Sequence, residues 1–199
     1  MVRSSQRARL LRAIVECVAH HGFEATTVPM VVAAARVSSN AFYEHFVDKT
    51  DCFLQACDEV ADELLSELVT LVAEPDWIQA LAKGMAVYLA WWRDRPAFAR
   101  AYLLSLQHVG ERAAEQRERT YERFEAMFSD LARRARVEQP GLPALSPLVP
   151  RALVVVITDA VTERVRIGDE AALNGLEPEL TRLAVRLLAD DATAERPGR

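Results

Sequence analysis

Ser38, Ser39, Asn40 and Ala41 are four consecutive small residues, and Tyr43, His45 and Lys49 follow within the next eight positions. Groups of these types suit the reading of base edges and phosphates. An asparagine amide pairs with adenine through two hydrogen bonds, a serine hydroxyl bonds to several bases and an alanine methyl touches thymine, while tyrosine, imidazole and ammonium groups reach phosphate oxygens. That chemistry works only if a short helix is held at a fixed angle, so that its N-terminal residues enter a groove about 12 Å wide.

The flanking sequence supplies such a brace. Leu11, Ile14, Val15 and Val18 recur at i, i+3, i+4 and i+7, which predicts an amphipathic helix over 6–21 that stops at Gly22. Thr27 is placed to cap a short helix over about 28–34, with Pro29 in its first turn. Ala35, Arg36 and Val37 then form a turn, and Ser38 caps a second short helix over Ser39–Phe46. Two brief helices joined by a tight turn are the layout of a helix-turn-helix, in which Val37 plugs the turn and Phe42 and Phe46 face the core. Asp48 can cap a long helix running to about 73, so Lys49 and that helix N-terminus are expected to share a phosphate.

Phe23, Thr26-Thr27-Val28, Ala35-Arg36-Val37-Ser38, Phe42-Tyr43-Glu44-His45-Phe46 and Asp48-Lys49 together resemble the DNA-binding domain of the TetR family of transcriptional regulators. The detailed resemblance covers about residues 7–57; beyond it, the number of helices and the length agree. It implies a homodimer on palindromic double-stranded DNA, responsive to a small-molecule effector and acting in the cytoplasm, more often as repressor than activator. The DNA-binding residues expected on this basis are Thr27, Arg36, Ser38, Ser39, Asn40, Ala41, Tyr43, His45 and Lys49. Three departures from the family pattern involve four positions. Arg36 stands where the family usually has glycine, Ser39 and Asn40 where a basic residue and glycine are common, and Glu44 adds an acid near the phosphates. Modest non-specific affinity is expected, with specificity resting on base contacts and half-site spacing.

Composition fits this reading once it is divided. The chain has 199 residues with only 7 glycines, so all-α architecture of about nine helices is expected, because hairpins and phosphate loops depend on positive-φ glycines. The net charge of −5 excludes a generally basic nucleic-acid coat. Yet residues 1–50 hold six basic side chains (Arg3, Arg7, Arg9, Arg12, Arg36, Lys49) against four acidic ones (Glu16, Glu24, Glu44, Asp48), so the whole acid surplus lies in residues 51–199. A helix-turn-helix domain over 1–50 and a ligand-binding and dimerisation domain over 51–199 are therefore expected. The 3 cysteines, odd in number and without Cys-x-x-Cys spacing, fit a reducing compartment. The longest apolar run, Met85–Trp92, is far short of the roughly 18 residues of a membrane span.

In the second part, helices are expected over about 77–94, 96–107, 111–137, 148–167 and 177–190. The stretches 139–147 and 168–175 should be loops, and a disordered tail should start at Asp191. Trp77, Leu81, Met85, Tyr88 and Trp92 fall on one helical face; Phe98 and Tyr102, then Phe124, Met127 and Phe128, give two more aromatic-rich faces. The resemblance implies that these ten residues line a cavity for an apolar or aromatic effector, with Tyr88, Tyr102, Gln107, His108 and Thr158 as orienting polar groups; the pattern by itself equally fits a packed core. Ala152, Val155, Val156, Leu180, Leu183 and Leu187, within about 147–190, are expected at a four-helix dimer interface. Phosphate-loop, nucleophile-elbow, dinucleotide and His-Glu-x-x-His motifs are missing, so neither enzymatic activity nor a cofactor is expected. Cys17, His20 and His21 have helical spacing for a metal but lack an evident third ligand. The other reading of the sequence is a helical small-molecule carrier or enzyme whose N-terminal helices do not bind DNA.

Overall fold

A computed structural model describes residues 2–70, 74 and 76–189, with side chains from residue 6 onward except that of Gln107. The described residues form nine α-helices and no strand. They are α1 (Val2–His21), α2 (Val28–Ala35), α3 (Ser39–Tyr43), α4 (Lys49–Thr70), α5 (Trp77–Arg93), α6 (Pro96–Ala99), α7 (Glu111–Glu138), α8 (Val149–Arg166) and α9 (Glu177–Ala189). The tail expected from Asp191 lies outside the described residues.

The first three helices close on the start of α4. Leu10, Ile14, Val31, Phe42, Phe46 and Phe53 are fully or almost fully buried, with the Phe23–Phe53 and Phe42–Phe46 ring centroids 5.5 Å apart. Replacing one such phenylalanine by alanine costs about 3–5 kcal/mol, a large part of a domain's stability. The same apolar cluster continues through α4 into α5, α7, α8 and α9. Cys52, Phe53, Ala56 and Cys57 of α4 are buried beside the N-terminal helices, so α4 is shared by the two expected domains.

Three stretches differ from their sequence expectation. The recognition helix is α-helical only over Ser39–Tyr43; the chain then turns, with the His45 and Phe46 amides both donating to the Phe42 carbonyl, which returns Phe46 to the core. After α6 the segment Arg100–Ser105 is a π-helix and Leu106–His108 a 3-10 turn, where one continuous α-helix is expected. Here Tyr102 stacks on Phe98 at 5.4 Å and approaches Trp92 at 5.6 Å. Residues 170–176, expected as loop, form a 3-10 turn anchored by the fully buried Leu173.

Candidate nucleic-acid interface and effector cavity

The turn between α2 and α3 is made without glycine. Arg36 takes the left-handed conformation, φ 53° and ψ 51°, while its amide bonds to the Ala33 carbonyl and the Val37 amide to the Val32 carbonyl. A side chain in that region costs roughly 1–2 kcal/mol. Ser38 then caps α3, its hydroxyl accepting from the Ala41 amide at 3.2 Å.

The nine expected DNA-binding residues are placed differently from one another. Thr27, Arg36, Ser38, Ser39, Asn40 and Tyr43 are exposed, Tyr43 by 60%. Ala41 is buried: one position after Asn40 the helix turns its methyl inward beside Phe42, so a thymine contact from it is corrected. His45 is half-buried and its Nε2 is enclosed without a partner, which draws it away from a phosphate role.

Lys49 is also corrected. Its ammonium donates to the carbonyls of Phe23 (2.7 Å), Thr26 (2.8 Å) and Glu24 (3.2 Å) and lies 4.4 Å from the Phe23 ring centre, so it clamps the α1–α2 turn to the start of α4. An ammonium has three donors, and these carbonyls take them. The α4 N-terminus is likewise in use. Asp48 accepts from the Asp51 amide at 2.6 Å, Asp51 accepts from the Val47 amide at 3.0 Å, and Arg112 of α7 reaches Asp48 at 3.3 Å. This reciprocal cap fills the position assigned above to a phosphate.

At the other end of α4 lies a cavity of about 770 Å³, within the range of small-molecule sites. Leu65 and Leu68 of α4, Leu81, Gly84, Met85 and Tyr88 of α5, Phe124, Met127 and Phe128 of α7, and Ile157 and Thr158 of α8 contribute to its wall. Six of the ten expected residues (Leu81, Met85, Tyr88, Phe124, Met127, Phe128) line it. Trp92, Phe98 and Tyr102 do not; they stack on one another around a neighbouring void of about 30 Å³, room for about one water. Trp77 is 1% exposed and lines neither space. Burial pushes the Tyr88 phenol up to about 12, partly offset by the Thr158 hydroxyl, so it stays a neutral hydrogen-bonding group. Gln107 lies outside the described side chains, and His108 lines neither space.

Of the α8 wall only Thr158 was expected from the sequence, and it does line the cavity; the α4 wall and the Arg123, Arg133 and Arg134 side chains of α7 were missed. The arginines were legible only as a charged face; Arg123 and Arg134 are eleven residues apart, three helical turns on one stripe.

Of the expected interface residues, Ala152, Val155 and Val156 form an exposed apolar stripe on α8, with Val155 45% and Val156 42% exposed. Leu183 and Leu187 are half-buried, whereas Leu180 is 7% exposed and belongs to the core, a correction that follows from the packing of α9 on α5. Among the described residues no helix is long and apolar enough to cross a membrane.

A braced two-helix unit with an exposed polar N-terminal face, joined to a larger helical bundle that borders a cavity, is the layout of a helix-turn-helix protein. Residues 10–56 match the model of the bacterial regulatory proteins, tetR family. The HTH-type transcriptional regulator TcmR of Streptomyces glaucescens is 25% identical over 190 residues, covering 87% of this chain and 84% of TcmR. In fold, the chain is similar to the fatty acid degradation regulator FadR of Bacillus halodurans, with a TM-score of 0.82, 16% identity, and 92% of this chain and 98% of that one covered. FadR of Bacillus subtilis, solved in complex with stearoyl-CoA, gives a TM-score of 0.82 at 15% identity, covering 90% and 98%. The tetR-family match covers residues 10–56, and the likeness to the solved structures extends the similarity to the fold of the rest of the chain.

Proposed function

We propose that this regulator is a cytoplasmic homodimer that binds a palindromic operator through α3 as a repressor and is released by a largely apolar or aromatic molecule entering the cavity. It performs no catalysis. The observation that carries this reading is α4. Its 22 residues span about 33 Å, with Cys52 and Phe53 packed into the helix-turn-helix core and Leu65 and Leu68 on the cavity wall. One rigid element thus touches both sites, and a ligand that fits the cavity better in one position of α4 than another shifts the recognition helix.

Asn40 and Ser39 are the base-reading groups in this account, and Tyr43, Thr27 and Arg36 the positioning ones. The exposed Ala152, Val155 and Val156 stripe is the dimer face, flanked by Leu183 and Leu187. A two-fold dimer sets the recognition helices one DNA turn, about 34–36 Å, apart. The division between the two domains, at about residue 50, falls at the start of α4, whose first turns pack on the N-terminal helices. That the similar Bacillus subtilis fold holds stearoyl-CoA supports a bundle of this design opening for a bulky apolar ligand.

The test is selection of bound fragments from random and genomic DNA by the purified protein, followed by band-shift titration. Recovery of one palindrome is expected. A helical carrier with the same cavity would bind ligand and retain no sequence.

A further inference from the structure

Four charged side chains line the large cavity, and all come from α7: Arg123, Asp130, Arg133 and Arg134. Every other lining residue is apolar except Tyr88 and Thr158. An apolar effector needs no guanidinium on its wall, and the lining itself carries three arginines against one carboxylate, with Asp62 and Glu138 pairing to two of them from outside it. Their carboxylate partners compete weakly. Arg123 pairs with Asp62 at 2.7 Å and Arg133 with Asp130, all four side chains being 47–73% exposed, and exposed pairs of this kind are readily exchanged. Arg134, 21% exposed, is held in place by Glu138 at 2.7 Å and by the Glu74 carbonyl, so its charge is fixed at the edge of the apolar space.

Room for the body of such a ligand is built in. Gly84 sits in the middle of α5, where glycine is disfavoured, yet a Cβ there would meet only the Leu68 side chain at 3.9 Å. Close helix packing therefore does not demand glycine; the absent side chain enlarges the cavity. The length of α7 from Arg123 to Arg134 is about 16 Å, with Phe124, Met127 and Leu131 between.

Resting on the cavity reading above, we infer that the effector is an amphipathic anion: an elongated or flat apolar body between α4, α5, α7 and α8, and an acidic group held by the α7 arginines at the Arg133–Arg134 end. A guanidinium presents paired donors to a carboxylate, sulfonate or phosphate, so any of these headgroups satisfies the site.

The experiment uses two fluorescent probes with the same aromatic body, 1-anilinonaphthalene-8-sulfonate and its uncharged counterpart N-phenyl-1-naphthylamine, titrated into the full chain. The sulfonate should bind about tenfold more tightly, and added salt should erode that advantage. Arg133→Ala, at an exposed position, should weaken the sulfonate several-fold and leave the neutral probe within about twofold. Gly84→Leu, which adds a side chain at the cavity wall, should weaken both signals. Equal binding of the two probes, or an Arg133→Ala and Arg123→Ala pair that both leave the ratio unchanged, overturns the anion inference and leaves the cavity standing. Signals that Gly84→Leu leaves unchanged, or no binding of either probe, overturn the cavity reading and the inference with it.

Discussion

Gln116 of α7 donates through Nε2 to the Leu54 carbonyl at 2.7 Å and to the Asp58 carboxylate at 2.6 Å, fixing α7 to the middle of α4 from a position 2% exposed. Its Oε1 is buried without a partner. This side chain joins the helix carrying Phe124, Met127 and Arg133 to the helix that enters the DNA-binding core. Gln116→Leu is expected to cost about 1–2 kcal/mol in denaturant midpoint. It should leave apo operator affinity within about twofold while raising the effector concentration needed for release. Parallel band-shift titrations with and without effector check both.

Arg36→Gly relieves the left-handed backbone at the helix-turn-helix turn. Release of about 1–2 kcal/mol of strain, against about 0.5–1 kcal/mol of added chain entropy, predicts a net gain of up to about 1.5 kcal/mol in urea unfolding. With its exposed guanidinium lost from the DNA face, the same variant should bind operator more weakly and lower the salt slope by about 1.

Lys49 and Tyr43, neighbours in the motif, should separate in behaviour. Lys49→Ala removes three hydrogen bonds to carbonyls and should lose roughly 2–3 kcal/mol of stability. Tyr43→Ala should change stability by no more than about 0.5 kcal/mol and weaken binding to all sequences alike, whereas Asn40→Ala should relax preference at one base position. Thermal unfolding alongside binding to operator and to scrambled DNA distinguishes them.

Much of this was legible in advance, and the misses have physical causes. Helical periodicity and the caps Ser38 and Asp48 locate the helix-turn-helix, because local pattern determines it. That Lys49 spends its ammonium on the carbonyls of Phe23, Glu24 and Thr26 depends on contacts some 25 residues away in the chain, which spacing does not encode, and the burial of Ala41 depends on how the short helix is rotated on its core. Aromatic content marks the right region of the second part but does not separate wall from core. Trp92, Phe98 and Tyr102 stack on one another, whereas Met85, Met127 and Phe128 border open space.

Alkaline pH should destabilise the fold. Burial pushes the Cys52 thiol up to about 12 from 9.0, chiefly by desolvation, and raises Cys57 well above that ordinary value. Above about pH 9 the unfolded chain releases thiol protons that the folded chain keeps, so stability is full below that pH and falls as pH rises toward 12. Cys52→Ala should flatten this slope in urea midpoints measured from pH 7 to 11. Both thiols should stay inert to a thiol reagent until the protein unfolds.

Gly84 offers a contrast within a single position. Gly84→Ala should stabilise by about 0.5–1 kcal/mol through helix propensity, since the added methyl meets ordinary van der Waals space. Gly84→Leu should keep the fold and bind effector more weakly, as read by calorimetric unfolding and probe titration.

The central claim is that α4 transmits cavity occupancy to the recognition helix. Its most direct test is the distance between the two α3 helices of the dimer, measured by spin labels at exposed Ser39→Cys in a chain whose Cys17, Cys52 and Cys57 are replaced by alanine. The account predicts a separation near 34–36 Å on operator DNA and a changed distance when effector fills the cavity, with more effector needed for that change in a Gly84→Leu background. An effector that binds and releases DNA while leaving that distance unaltered contradicts it.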